Sequence, residues 1–228
     1  MTALRCRNVT RRYPRPGIEP LVAVDQADLE LGDGEFIAIQ GPSGSGKTTL
    51  LGLLAGLELP DEGEIELLGH DLLRLTPLER ARLRQRRVGI VFQSFGLVAS
   101  LSAGENVALP LALARVPEVE RCERAAAALR EVGLTIPFDA RVDELSGGER
   151  QRIGVARALV SDPAVILADE PTGSLDVENG RVVLDLLSEA VRRRGVALVL
   201  VTHDPMSAAR ADRRYRIRDG HLRPEDAA

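Results

Sequence analysis

A loop of nine residues limits what this chain can fold into more than any other feature. "GPSGSGKTT" runs Gly41, Pro42, Ser43, Gly44, Ser45, Gly46, Lys47, Thr48 and Thr49, and it holds Lys47, the single lysine among 30 basic residues. It follows a short apolar strand candidate, "EFIAIQ" (35–40), and opens "TTLLGLLAGL" (48–57), which reads as a helix. Strand, glycine-rich turn and helix in that order are the setting in which G-x-x-x-x-G-K-[ST], met by Gly41, Gly46, Lys47 and Thr48, cradles a phosphate chain. Glycines let the backbone curl until several N–H groups converge on one anion, and the positive end of the helix dipole reinforces them. Lysine adds a compact charge with rotating donors that fits between β- and γ-phosphates. Arginine, planar and forked, is no equivalent there.

Around the loop, strand and helix texture alternate. "GEIELLG" (63–69), "RVGIVFQ" (87–93), "AVILADE" (164–170) and "VALVLVT" (196–202) read as strands, with a helix near 177–194 between the last two. Near-continuous apolar strands imply burial on both sheet faces, the parallel α/β arrangement. Helical pattern dominates from Ser94 to Leu159, notably "EVERCERAAAALREVG" (118–133), which Gly133 is expected to stop. The expected organisation is one domain over 1–228, with core lobes at 1–93 and 160–228 and a helical lobe at 94–159.

Composition removes several classes. No apolar run approaches the roughly 18 residues of a membrane helix. "MTALRCRNVTRRYP" has charges without an apolar stretch behind them, so no signal peptide is expected. Cys6 and Cys122 lack a C-x-x-C partner and read as free cytosolic thiols, while the 3 histidines form no metal-ligand pattern. A net charge of −4 argues against a chain built to coat nucleic acid. "RRRG" (192–195) and "RRYRIRDG" (213–220) accordingly read as solvated faces.

A phosphate cradle needs a metal and a water-activating group. Thr48 offers a hydroxyl for the metal. "VILADE" ends in adjacent carboxylates, Asp169 and Glu170, at the carboxyl end of a strand, where ligands bind in open α/β sheets. Neighbours on an extended chain point oppositely, so one carboxylate is expected to face the metal and the other a reacting water. His203 follows the last apolar strand in "LVLVTHD".

These residues carry a family resemblance. "LSGGERQR" (145–152) resembles the signature motif of ATP-binding-cassette (ABC) ATPases. The glycine loop, "VFQ" ending at Gln93, "VILADE", "GSLD" (173–176) and "VTHD" (201–204) stand around it in the family's order, and Tyr13 in "RRYPRPG" matches its adenine-stacking aromatic. The resemblance implies a P-loop NTPase core with a mainly parallel sheet, an N-terminal antiparallel β region and an inserted helical subdomain. It implies ATP as substrate and Mg2+ as cofactor, with Lys47 and residues 41–49 on the phosphates. Glu170 would polarise the attacking water and His203 contact the γ-phosphate. Thr48 and Gln93 would hold the metal, with Asp169 acting through a water. Ser146, Gly147 and Gly148, at the start of a helix, would bind the γ-phosphate of ATP held by a second copy, so that two ATPs are sandwiched head to tail.

"VGIVFQSFGLVASLSAGENVALPLALARV" and "ARALVSDPAVILADEPTGSLD" further resemble the subfamily serving lipoprotein release, macrolide or peptide export and cell-division control. Gly96 and Ser174 depart from it, standing where asparagine is common. The resemblance implies transmembrane permease partners docked at a groove near Phe95–Leu101, with Phe95 and Leu97 as lining residues, and a peripheral position on the cytoplasmic face of the membrane. An ABC ATPase of DNA maintenance is the competing class. Those carry long coiled coils or zinc modules inside the cassette, and none separates Gln93 from Ser146 here. No nucleic-acid partner is expected.

Overall fold

The computed structural model describes residues 2–225. A hairpin comes first, β1 (Thr2–Arg15) against β2 (Ile18–Gly32), and then β3 (Phe36–Gln40) leads through the glycine loop into α1 (Lys47–Leu54). β4 (Glu62–Leu67) and β5 (His70–Asp71) follow, then α2 (Pro77–Arg87) and β6 (Val88–Val91). Three helices come next: α3 (Ala103–Leu113), α4 (Glu118–Glu131) and α5 (Gly147–Leu159). β7 (Val165–Asp169), α6 (Val177–Arg194), β8 (Ala197–Thr202) and the short α7 (Pro205–Ala208) precede a closing hairpin, β9 (Arg213–Arg218) with β10 (His221–Glu225).

The strands join in the order β5-β4-β1-β2-β10-β9-β3-β8-β7-β6. From β9 to β6 every neighbour is parallel, whereas β1, β2, β4 and β5 pair antiparallel, as expected for the N-terminal region. Alternation divides the parallel strands between two cores. Val165, Leu167, Val199 and Val201 face α1 and the antiparallel strands. Ile166, Ala168, Leu198 and Leu200 face α3–α6. Both faces are dry, which accounts for the unbroken apolar runs.

Helix limits follow local chemistry. Thr76, Ser102 and Ser146 each cap a helix reciprocally with a glutamate three residues on. α4 ends just before Gly133, whose φ of 71° a side chain would oppose. Cys6 is buried, donates to the Ala27 carbonyl, and has its thiol pushed up to about 12 by that burial, so it behaves as a core residue.

One stretch corrects the sequence reading. "RRYRIR" is strand β9, solvated along its arginines but not throughout: Arg213, Arg216 and Arg218 are exposed, while Tyr215 and Ile217 are buried and pack with the β1–β3 core. Ile217→Ala should therefore cost about 2–5 kcal/mol of stability. Arg218→Ala, with its side chain 82% exposed, should change stability by less than about 0.5 kcal/mol. Chemical denaturation of the two variants compares them, and equal losses would return the stretch to the surface.

Candidate active site

Parallel register brings the candidate residues to one end of the sheet. Gln40 pairs with Thr202, Asp169 with Val201, and Val91 with Ala168. The segments leaving β3, β6, β7 and β8 therefore start side by side, carrying the glycine loop, Gln93, Asp169–Glu170 and His203.

The glycine loop is wedged between two strands. A Cβ on Gly41 would lie 2.4 Å from the Ile217 carbonyl oxygen of β9, and one on Gly46 would lie 2.0 Å from the Ala23 carbonyl oxygen of β2. Gly46 also has a φ of 102°. No L side chain fits either place, so the backbone is free to curl tightly. α1 then opens with no side-chain cap and no acidic residue in its first turn, leaving amides at Lys47, Thr48 and Thr49 to receive an anion.

Lys47 is only 5% exposed. Its Nζ donates to the Gly41 and Pro42 carbonyls at 2.9 and 2.8 Å and lies 3.4 Å from Glu170 Oε1. The other carboxylate oxygen, Oε2, is 2.7 Å from His203 Nδ1. A Cβ placed on Gly173 would stand 3.3 Å from Gln93 Nε2 and 3.5 Å from Glu170 Oε2, so the glutamine amide and the glutamate share one neighbourhood. Lys47, Glu170, His203 and Gln93 thus form a single cluster, and Glu170 and His203 line a cleft of about 700 Å³.

Alternation along an extended strand does not produce this arrangement, as the sequence reading had it. Asp169 ends β7, but Glu170 has a φ of 43°, a left-handed turn that costs a non-glycine residue about 1–3 kcal/mol. Its N–H donates to the Val201 carbonyl at 2.8 Å and its own carbonyl accepts from Gly173 N–H at 3.0 Å, which pins the turn. The turn lets both carboxylates reach the loop: Asp169 Oδ2 accepts from Thr48 Oγ1 at 2.9 Å.

Asp169 is also where a cation fits. Its Oδ1 is buried with no hydrogen-bond partner. Burial raises its pKa above the ordinary range, the Thr48 hydroxyl pulls the other way, and the Glu170 charge pushes it up further. An oxygen so placed and a hydroxyl beside it suit a hard divalent ion that takes most of its remaining ligands from water and phosphate. Among the described residues no group of three or more His, Cys, Asp and Glu forms a closed metal cage.

Other expected residues lie apart. Tyr13 donates to Glu58 Oε2 at 2.8 Å, with the Arg11 guanidinium over its ring at 4.9 Å. Ser146 caps α5 through Glu149, whose carboxyl the Ser146 hydroxyl and amide hold below its usual range. Gly148 lies close under α6: a Cβ there would stand 2.2 Å from Asn179 Oδ1, and the asparagine side chain would have to move. No hydrogen bond or ion pair among the described residues links 146–148 to 41–49.

The groove near Phe95–Leu101 takes Gly96 and Val98 from that stretch, but not Phe95 or Leu97. Phe95 turns its ring to the Arg150 guanidinium at 5.1 Å, and Leu97 packs onto the helical core. A groove of about 400 Å³ is lined instead by Phe92, Gly96, Val98, Leu109 and Leu113, with Arg84 and Arg157. An apolar cluster read along the chain does not tell which side chains a turn at Phe95 (φ 61°) and Gly96 (φ 61°) directs inward.

The family model of the ABC transporter matches residues 24–173, which hold the glycine loop, Gln93, the α5 start and both carboxylates. The chain belongs to the ABC transporter family. Its ATPase cassette fold is shared with MJ0796, whose dimeric post-hydrolysis state bound to ADP and Pi is 37% identical, with 98% of each chain covered and a TM-score of 0.91. Dimeric MJ0796, a bacterial ABC transporter cassette, matches at the same values. cbiO1 from Clostridium perfringens, part of the ABC transporter complex cbiONQ, is 26% identical over 97% of this cassette and 87% of its own chain, with a TM-score of 0.84.

The buried cassette lysine yields a direct test. Lys47→Arg should bind ATP at least about tenfold more weakly, since one lost hydrogen bond to a charged group is worth about 1.5–3 kcal/mol. Isothermal titration measures this, and equal affinity would show that charge alone suffices at this position.

Proposed function

We propose that this chain is the ATP-hydrolysing motor subunit of a membrane ABC transporter or mechanotransmission complex of the export, lipoprotein-release or cell-division type. Two copies would close head to tail around two ATPs and drive a separate transmembrane partner from the cytoplasmic face, without nucleic acid. The observation that carries the reading is Glu170, held between Lys47 and His203 at the row of strand ends and open to the cleft beside them. Dimeric MJ0796 and cbiO1, part of cbiONQ, support the self-pairing and the membrane complex. Among the described residues no helix is long and apolar enough to cross a membrane, which accords with a separate transmembrane subunit.

In this reading the residues act as follows. Phosphate oxygens take the place of the Gly41 and Pro42 carbonyls on Lys47 Nζ and accept the amides of 44–49. Thr48, Gln93 and Asp169 would hold Mg2+, whose charge neutralises phosphate oxygens. Glu170 accepts a hydrogen bond from water and turns its oxygen toward the γ-phosphorus. As that O–P bond forms, the bond to the bridging oxygen breaks and ADP leaves. His203 holds the γ-phosphate through the nitrogen not facing Glu170, and Gln93 senses the water. Ser146, Gly147 and the α5 amides of the second copy complete the γ-phosphate shell. Tyr13 stacks on the adenine. The lobe at 94–159, built from α3, α4 and α5, would rotate against the core as a unit.

Glu170→Gln should keep ATP binding yet lose about 10²–10⁴ in turnover, the range for general base catalysis, and should accumulate closed dimers visible by light scattering with ATP. Wild-type turnover in that variant, with its membrane partner present, would remove Glu170 from the chemistry. Tyr13→Ala should bind ATP about 1–3 kcal/mol more weakly, the cost of one lost base stack. Unchanged affinity by titration would leave Tyr13 as a strand residue held by Glu58.

A further inference from the structure

The end of β1 that carries Tyr13 is held on one edge by side chains rather than by a strand. β1 and β4 pair only as far as Thr10, opposite Glu62. The β1–β2 register shifts on both sides of Arg11 and again after Tyr13. Such irregular pairing re-aims side chains, so something besides the ladder must fix them. Three acids of the segment after α1 do so. Glu58 Oε2 accepts from the Tyr13 hydroxyl at 2.8 Å and lies 3.3 Å from Arg11 Nη2. Asp61 accepts from Arg11 Nη1 at 3.1 Å and from the Arg12 amide at 2.6 Å, and Glu62 accepts from Arg12 Nη1 at 2.7 Å.

Arg11 and Tyr13 stand two apart on one strand and share a face, which sets the guanidinium over the ring at 4.9 Å. With Nη1 and Nη2 taken by Asp61 and Glu58 and with Nε buried, that guanidinium is fixed against one side of the ring. The tyrosine is thus gripped twice, by its hydroxyl and by one face. A ring free to turn loses rotamer freedom when a flat ligand stacks on it, and fixing it beforehand removes that cost. Glu58 also belongs to the phosphate-binding unit. It follows α1 directly, and its amide reaches back to the Gly52 carbonyl at 3.4 Å. The first turn of the same helix carries the amides left open to an anion.

We propose that Glu58 and Arg11 are positioning residues for the nucleotide base. They hold Tyr13 as a platform with one usable face and tie that platform to the helix that receives the phosphates. The inference rests on the reading of Tyr13 as the stacking aromatic and adds what aims it. Because the hydroxyl is already given to Glu58, Tyr13 offers the base a surface and no hydrogen bond.

Calorimetric titration with two ligands, ATP and inorganic tripolyphosphate, each with Mg2+, tests this. Glu58→Ala and Arg11→Ala should each bind ATP about two- to tenfold more weakly, the worth of ordering one side chain in advance. Neither should change the affinity for tripolyphosphate, which has no base to stack. Glu58→Gln keeps an acceptor for the hydroxyl and should bind ATP more tightly than Glu58→Ala. In a Tyr13→Ala background, Glu58→Ala should cost ATP nothing further. Equal losses for ATP and tripolyphosphate would overturn the proposal, since a general disturbance of the fold does not distinguish the two ligands. So would Glu58→Gln binding as weakly as Glu58→Ala, or an undiminished effect of Glu58→Ala once the ring is gone. If Tyr13→Ala weakens ATP binding while Glu58→Ala or Arg11→Ala does not, the stack stands and the positioning role falls. If Tyr13→Ala itself leaves ATP affinity unchanged, the stacking reading fails and takes this inference with it.

Discussion

Two carbonyl oxygens decide the shape of the phosphate loop. The Ala23 carbonyl of β2 and the Ile217 carbonyl of β9 occupy the space where Gly46 and Gly41 would carry side chains. The loop is tight because strands from both ends of the chain press on it, and it can be pressed because it has nothing but hydrogen there. The antiparallel hairpin and the closing hairpin are therefore structural partners of the site although neither supplies a group from the cluster around Glu170. Register in the parallel strands then places the other groups beside the loop, with no long-range device beyond backbone pairing.

Glu170 is the one place where the backbone departs from easy geometry inside this cluster. A left-handed residue directly after a strand breaks the alternation that would otherwise turn it away from Lys47. The two backbone bonds at that turn, to Val201 and from Gly173, hold it against its intrinsic preference. Gly173 belongs to the same segment as Ser174, whose hydroxyl donates to the Gln93 carbonyl at 3.4 Å. The carboxylate, the turn that aims it and the glutamine beside it are thus connected through a few residues, and a displacement of Gln93 reaches Glu170 without crossing the core.

How legible each part was depends on how loudly its chemistry speaks locally. The α6 helix and the strands ending at Gln40, Asp169 and Thr202 stand out because burial on both faces leaves long apolar runs, and the glycine loop because its residue types permit little else. β9 was hidden: four arginines around Tyr215 and Ile217 mask a period-two pattern only six residues long. The left-handed turn at Glu170 leaves no trace, since a glutamate there is chosen for its carboxylate and not for its φ. Phe95 and Leu97 illustrate a third limit. Apolar spacing locates a cluster but says nothing of which members a turn folds inward, and the groove joins Phe92, just after β6, to Leu109 and Leu113 of α3.

The use of arginine everywhere but at position 47 has a chemical corollary. Guanidiniums resist acylation at neutral pH, whereas an uncharged amine does not. Apart from the α-amino group, Lys47 is the one primary amine in the sequence, and it lies 5% exposed beneath the glycine loop, where the proposed function places the nucleotide. An amine-selective acylating reagent therefore has a single internal target, shielded whenever phosphate occupies the cradle. Lys47 is already packed against the Gly41 and Pro42 carbonyls, so the further fall in its rate of mass gain when nucleotide is added, not the mass itself, would serve as the covalent gauge.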